Sequence, residues 1–140
     1  IGARRFWEKG TSPSDAATLA AEKALDLSGI DRGKIGVIIN TSVCRDYLEP
    51  STACIVHGNL GLSESCLNFD VGNACLPFMN GMDIAARMIE RAEIDYALIV
   101  DGESSRPITE ATIERMLQPD ISADQFRVVV EKAEQEGTNA

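Results

Sequence analysis

One cysteine of the four in this 140-residue chain sits where a thiol can react. Cys75 lies in Gly72-Asn73-Ala74-Cys75-Leu76-Pro77, between an apolar run at 66–71 and a long amphipathic segment at 76–91. That order reads as strand, sharp turn, helix. In a parallel α/β sheet such a turn presents one side chain at the carboxyl ends of the strands, where ligands bind. Gly72 and Ala74 permit a tight backbone, and Pro77 has no N–H to lose in a first helical turn. A thiol beside a helix N-terminus feels the positive end of the macrodipole, which favours the thiolate. The thiolate is the nucleophile, so the pattern suits acyl transfer through a thioester. A small buried cysteine filling a gap fits the same spacing.

The remaining reactive side chains carry less. Cys54 and Cys66 lie in apolar patterns and read as inert core residues, while Cys44 lies in a loop at 41–46 that allows exposure. No CxxC occurs, and His57, the single histidine, cannot complete a zinc pattern. His57 reads as a helix-face or packing residue. Asp101 and Glu103 lack metal-ligand spacing, so no metal is expected. Gly58-Asn59-Leu60-Gly61 ends a helical segment with no Lys-Ser/Thr after it, which excludes a phosphate loop.

The elements that position Cys75 follow from periodicity. Ser12-Pro13-Ser14-Asp15 is a helix start with a capping box, and Gly29 marks the stop. Ile35–Asn40, 66–71 and Tyr96–Val100 are short apolar runs predicted as strands, the first buried on both faces. Helices are expected at 51–60, 76–91, 109–117 and 122–136. Phe78, Met82, Ala85, Met88 and Ile89 recur at helical spacing in the second of these, and Phe126, Val129 and Val130 give the last an apolar stripe. Strands alternating with helices predict βαβ units and a mostly parallel sheet.

Composition narrows the functional classes. A net charge of -9 opposes non-specific nucleic-acid binding, which needs a basic face. No apolar run approaches the roughly 20 residues that a helix needs to span a bilayer. Without a recognisable secretory signal, free thiols in a cytoplasmic protein are expected. The chain opens at Ile1 and closes on a polar stretch, which reads as part of a longer protein.

Several blocks resemble the thiolase-fold condensing enzymes of the β-ketoacyl-acyl-carrier-protein synthase III kind. Tyr47-Leu48-Glu49-Pro50-Ser51-Thr52-Ala53-Cys54 is similar to the family's x-P-S-x-A-C segment. Leu60-Gly61-Leu62 matches the LG after the next helix. Phe69-Asp70-Val71-Gly72-Asn73-Ala74-Cys75 resembles F-D-V-x-x-A-C, whose cysteine carries the acyl group, and Leu98-Ile99-Val100-Asp101-Gly102-Glu103 resembles the strand and turn that follow. The resemblance covers about residues 1–105. It implies a thiolase-like α/β fold, with 1–140 a partial N-terminal domain and about 106–140 a helical insertion or cap. It also implies a homodimer and Cys75 as the nucleophile, its own backbone N–H serving the oxyanion.

Glu49 points to a subgroup. Ordinary synthase III enzymes commonly carry an apolar or aromatic residue just before this proline. A glutamate there resembles the thiolases of head-to-head olefin biosynthesis, which condense two long acyl chains and use it as a base across the dimer. The chemistry is consistent. A malonyl donor makes its carbanion by losing carbon dioxide, whereas two plain acyl thioesters need a base at the α-carbon. A desolvated carboxylate can supply one. The resemblance thus implies non-decarboxylative Claisen condensation of two acyl-CoA molecules, with coenzyme A thioesters as substrates and no covalently bound cofactor. The alternatives are a decarboxylating synthase III that takes malonyl-acyl carrier protein, and a non-catalytic half-fold that only dimerises or binds acyl chains. A complete enzyme of this kind also uses a histidine and an asparagine from a second half, absent from these 140 residues. Arg4 and Arg5 lie where a coenzyme A phosphate could be met, or are solvated surface charges.

Overall fold

A computed structural model describes residues 7–117 and residue 127. Arg4, Arg5 and almost all of the expected 122–136 helix lie outside the described residues. Helix α1 spans Pro13–Ser28 and opens as its sequence predicts. Ser12 Oγ accepts the Asp15 N–H at 3.1 Å, and the Asp15 carboxylate accepts the Ser12 N–H at 3.3 Å. Gly29 closes the helix in the left-handed region, its N–H donating to the Leu25 carbonyl. A 3-10 turn at Arg32–Lys34 leads into strand β1, Ile35–Asn40. Helix α2 (Thr52–Leu60), strand β2 (Leu67–Asp70), helix α3 (Pro77–Glu90), strand β3 (Tyr96–Val100) and helix α4 (Arg106–Met116) follow.

The three strands form a parallel sheet in the order β2-β1-β3. Helices α1 and α2 cover one face. Ala17, Ala21 and Leu25 of α1 and Val56 and Leu60 of α2 pack there on Ile35, Ile38, Leu98 and Val100. Helix α3 covers the other face, with Ala85 against Val37 and Ile39. Central β1 is therefore buried on both sides, as its apolar run rich in β-branched residues predicts. Gly36 sits at an irregularity between β1 and β3, where a Cβ would run into the Ile94 side chain.

Two expectations are corrected by the packing. Cys54 is exposed, not a core residue. The buried stripe of α2 is Thr52, Ala53, Val56 and Leu60, and Cys54 falls off that stripe. Cys66 is buried as expected. In α3, the residues fully buried are Pro77, Gly81 and Ala85, while Phe78 and Met82 stay 42% and 47% exposed. A Cβ on Gly81 would meet Thr41 Cγ2 at 3.1 Å and Ile99 Cγ2 at 3.3 Å, so small residues set how closely this helix lies on the sheet. The larger apolar side chains flank that line of contact.

Gly102, just past β3, lies against the first turn of α1. A Cβ there would collide with the Pro13 carbonyl and stand 2.6 Å from Ala17 N and 2.8 Å from Ala17 Cβ. Gly102→Ala is expected to lower stability by about 1–3 kcal/mol or more, because no flexible side chain can move aside. Gly58, inside α2 with open space around its Cα, gives the opposite sign. Gly58→Ala should add about 0.5–1 kcal/mol by helix propensity. Urea melts of the two variants check both signs.

Candidate active site

The carboxyl ends of the three strands converge on one edge, and each continues into a loop carrying polar side chains. From β2, the Val71 N–H donates to the Asn40 carbonyl at 2.8 Å, after which the chain leaves the sheet. Ala74 then takes a left-handed conformation at φ 46. That costs roughly 1–2 kcal/mol for a residue with a Cβ, and such strain tends to collect at functional turns. The Leu76 N–H donates to the Asn73 carbonyl at 2.9 Å and closes the turn, while Asn73 Nδ2 donates to Asn80 Oδ1 at 2.7 Å and ties the turn to α3. Cys75 stands exposed in this turn, immediately before Leu76, the cap of α3. No side chain caps that helix start, and Pro77 at its first position has no N–H to satisfy.

Glu49 is exposed on the loop between β1 and α2, joined to Pro50 by a cis peptide. Three carboxylates fasten this loop and the helix starts beside it by accepting backbone N–H groups. Glu103 accepts from Val43 N–H, and from Cys44 N–H at 3.3 Å. Asp46 accepts the Ser14 N–H at the start of α1, at 3.1 Å. Asp70, the last residue of β2, accepts the Thr52 and Ala53 N–H groups at 3.0 and 2.8 Å. Beneath them, Ser42 Oγ donates to Asn40 Oδ1 at 2.8 Å and accepts the Gly102 N–H at 2.7 Å. Thr41 Oγ1 donates to the Val100 carbonyl at 2.9 Å. Sequence reasoning singled out none of Asp46, Asp70 and Glu103 for this work. Their partners are 17 to 60 positions away, beyond the reach of any local motif.

Cys44, Cys66 and the histidine are accounted for by their surroundings. Burial, and then the neighbouring Glu103 carboxylate, push the Cys44 thiol up to about 11. Burial raises Cys66 as well. Asp101 is also raised, first by burial and then by Glu103. His57 Nε2 bonds the Ser63 carbonyl at 3.0 Å, which makes it a brace at the end of α2. Among the described residues, no cluster of His, Cys, Asp or Glu has the arrangement of a metal site. An open cavity of about 680 Å³ lies between the α1 start, the 44–47 loop and α4, lined among others by Lys9, Arg45, Tyr47, Asn59 and Arg106. Neither Cys75 nor Glu49 lines it.

The acyl-CoA:acyl-CoA alkyltransferase of Xanthomonas campestris is 62% identical over 127 residues, which is 91% of this chain and 38% of that protein. A crystal structure of acetamide-bound Xanthomonas OleA superposes with a TM-score of 0.84 at 61% identity, covering 93% of this chain and 40% of that one. Over this stretch the chain is similar to OleA. Over the shared part it has the thiolase-like α/β fold of OleA. The alkyltransferase of Shewanella oneidensis is 42% identical over 117 residues, covering 84% of this chain and 34% of that protein. The β-ketoacyl-acyl-carrier-protein synthase III of Natranaerobius thermophilus is 36% identical over 110 residues, covering 79% and 33%. No protein-family model matches the chain. The chain thus spans little more than a third of the length of the OleA relatives it matches.

Thiol chemistry tests the site directly. At pH 8, iodoacetamide should modify exposed Cys75 and Cys54 well before Cys44 and Cys66, as read by peptide mass. With its pKa near 11, Cys44 holds only about 0.1% thiolate at that pH. The same shift has a stability sign. Folded Cys44 keeps its proton above the ordinary thiol range, so its contribution is full below pH 9 and is lost as pH rises from 9 through about 11. Cys44→Ala should flatten that part of the stability profile.

Proposed function

We propose that this chain supplies the acyl-carrying cysteine and the α-carbon base of a cytosolic, homodimeric enzyme that joins two acyl-CoA molecules head to head. The observation that carries the reading is the exposed Cys75 thiol at a strained strand-to-helix turn, in a chain 62% identical to an acyl-CoA:acyl-CoA alkyltransferase. The Cys75 thiolate attacks the carbonyl of one acyl-CoA. The tetrahedral oxyanion is met by the Cys75 N–H, and coenzyme A leaves as its thiolate, which takes a proton from solvent, giving an acyl-cysteine. A second acyl-CoA then gives up an α-proton to Glu49 of another copy. The resulting carbanion attacks the acyl-cysteine carbonyl, forming the carbon–carbon bond and returning the thiolate. Glu49 is exposed on its own chain, and a dimer in which its loop enters the neighbouring site would desolvate it and so strengthen it as a base.

The test uses the full-length protein with a long-chain acyl-CoA and no malonyl donor. An acyl mass on the Cys75 peptide, lost in Cys75→Ala, is the expected first step. Condensation should fall by about 10²–10⁴-fold in Glu49→Ala while acylation of Cys75 persists, the usual scale for loss of a general base. Condensation that appears only with malonyl-acyl carrier protein assigns the chain to the decarboxylating synthases instead. Absence of any adduct would leave an acyl-binding or dimerising module.

A further inference from the structure

Asp70 joins the two halves of the proposed chemistry within one chain. Its carboxylate oxygens each accept a first-turn N–H of α2, Oδ2 from Thr52 and Oδ1 from Ala53. Glu49 precedes that turn by a short, stiff connection. Pro50 has a fixed φ, and Ser51 is extended at φ -58 and ψ 150, with its Oγ accepting the Cys54 N–H at 3.2 Å. The direction in which the chain enters α2 is therefore set where Asp70 grips it. On its other side, Asp70 ends the strand that leads to the Cys75 turn. That turn has fastenings of its own: the Val71 bond to Asn40, the Asn73–Leu76 closure and the Asn73–Asn80 bond.

We propose that Asp70 is a positioning residue for Glu49: by clamping the α2 start to the end of β2, it sets where the base stands relative to the nucleophile turns of the dimer. The inference rests on Glu49 being the base. Asp70 takes two N–H groups because it is a carboxylate, and an amide has only one acceptor atom. No amide neighbour can substitute. Asn40, its register partner on β1, already has its side-chain oxygen engaged by Ser42, and its buried Nδ2 is a donor without a partner among the described residues. Losing one of the paired bonds thus frees the α2 entry while the independently fastened Cys75 turn keeps its shape. The consequence is a split between the half-reactions, with condensation hurt far more than acylation.

The experiment is a cycle of Asp70→Asn, Glu49→Gln and the double variant in the full-length protein. It reads both the rate of long-chain acylation of Cys75 by mass and the rate of condensation. Asp70→Asn should slow condensation by about 100-fold, the scale on which a misplacement of roughly 1 Å costs rate, with at least tenfold less effect on acylation. The double variant should condense no more slowly than Glu49→Gln alone, since a misplaced base and an absent one are equivalent. Equal losses in both half-reactions, or losses that multiply in the double variant, overturn the positioning role and leave the base intact. Undiminished condensation in Glu49→Gln overturns both. Should Asp70→Asn fail to fold, Thr52→Pro removes one of the two donors at a first helical position that accepts proline. It should give the same split at smaller amplitude, and an even loss in both steps counts against the proposal.

Discussion

Backbone N–H groups at the start of a helix, or in a loop leaving a sheet, have no partner in the regular ladder, and burying them unpaired is costly. In this fold the debt falls at the carboxyl edge of the parallel sheet, where β1, β2 and β3 hand over to the loops of the candidate site. Ionised carboxylates meet it there. Asp46, Asp70 and Glu103 accept N–H groups from α1, α2 and the 43–44 loop. Charge-assisted bonds of this kind are stronger than neutral ones, and at a helix start the macrodipole favours the same sign. Under the loop, Thr41 and Ser42 add crosslinks between the ends of β1 and β3, and Asn40 braces Ser42. An acidic chain therefore spends part of its negative charge internally, on shape.

The parts of the fold that answer to local rules were legible in the sequence. The capping box and Gly29 bound α1, and β1 and β3 occupy the residues their apolar runs mark. Helix α3 begins one residue later than its pattern because Leu76 serves as the cap. What periodicity does not resolve is which sector of a helix touches the sheet. Cys54 shares an apolar segment with Val56 yet faces outward, and in α3 the contact runs through Gly81 and Ala85 and not through the bulkier residues nearby. Small side chains permit the closest approach and so decide the face, whereas a hydrophobicity pattern gives weight to the large ones.

The site divides along the same line. Cys75 was readable because its geometry is written in neighbours: a strand, small residues, a proline, a helix. Nothing beside Glu49 marks it, since an acidic residue before a proline is an ordinary turn by itself, and its proposal as the base rests on likeness to a known subgroup. The carboxylates that hold its loop were hidden. Their role is defined by backbone groups of distant elements, and a backbone N–H leaves no letter in the sequence.

That last property bears on how the loop could be transferred. A segment gripped mainly through its peptide groups makes few demands on the identity of the residues it contains. Over residues 43–53 the carboxylates of Glu103 and Asp70 take four such groups, the N–H groups of Val43, Cys44, Thr52 and Ala53. A host scaffold of the same architecture would accept the transplant provided it offered acidic side chains at the positions of Asp70 and Glu103, with Asp46 travelling in the graft and finding the start of the host's first helix.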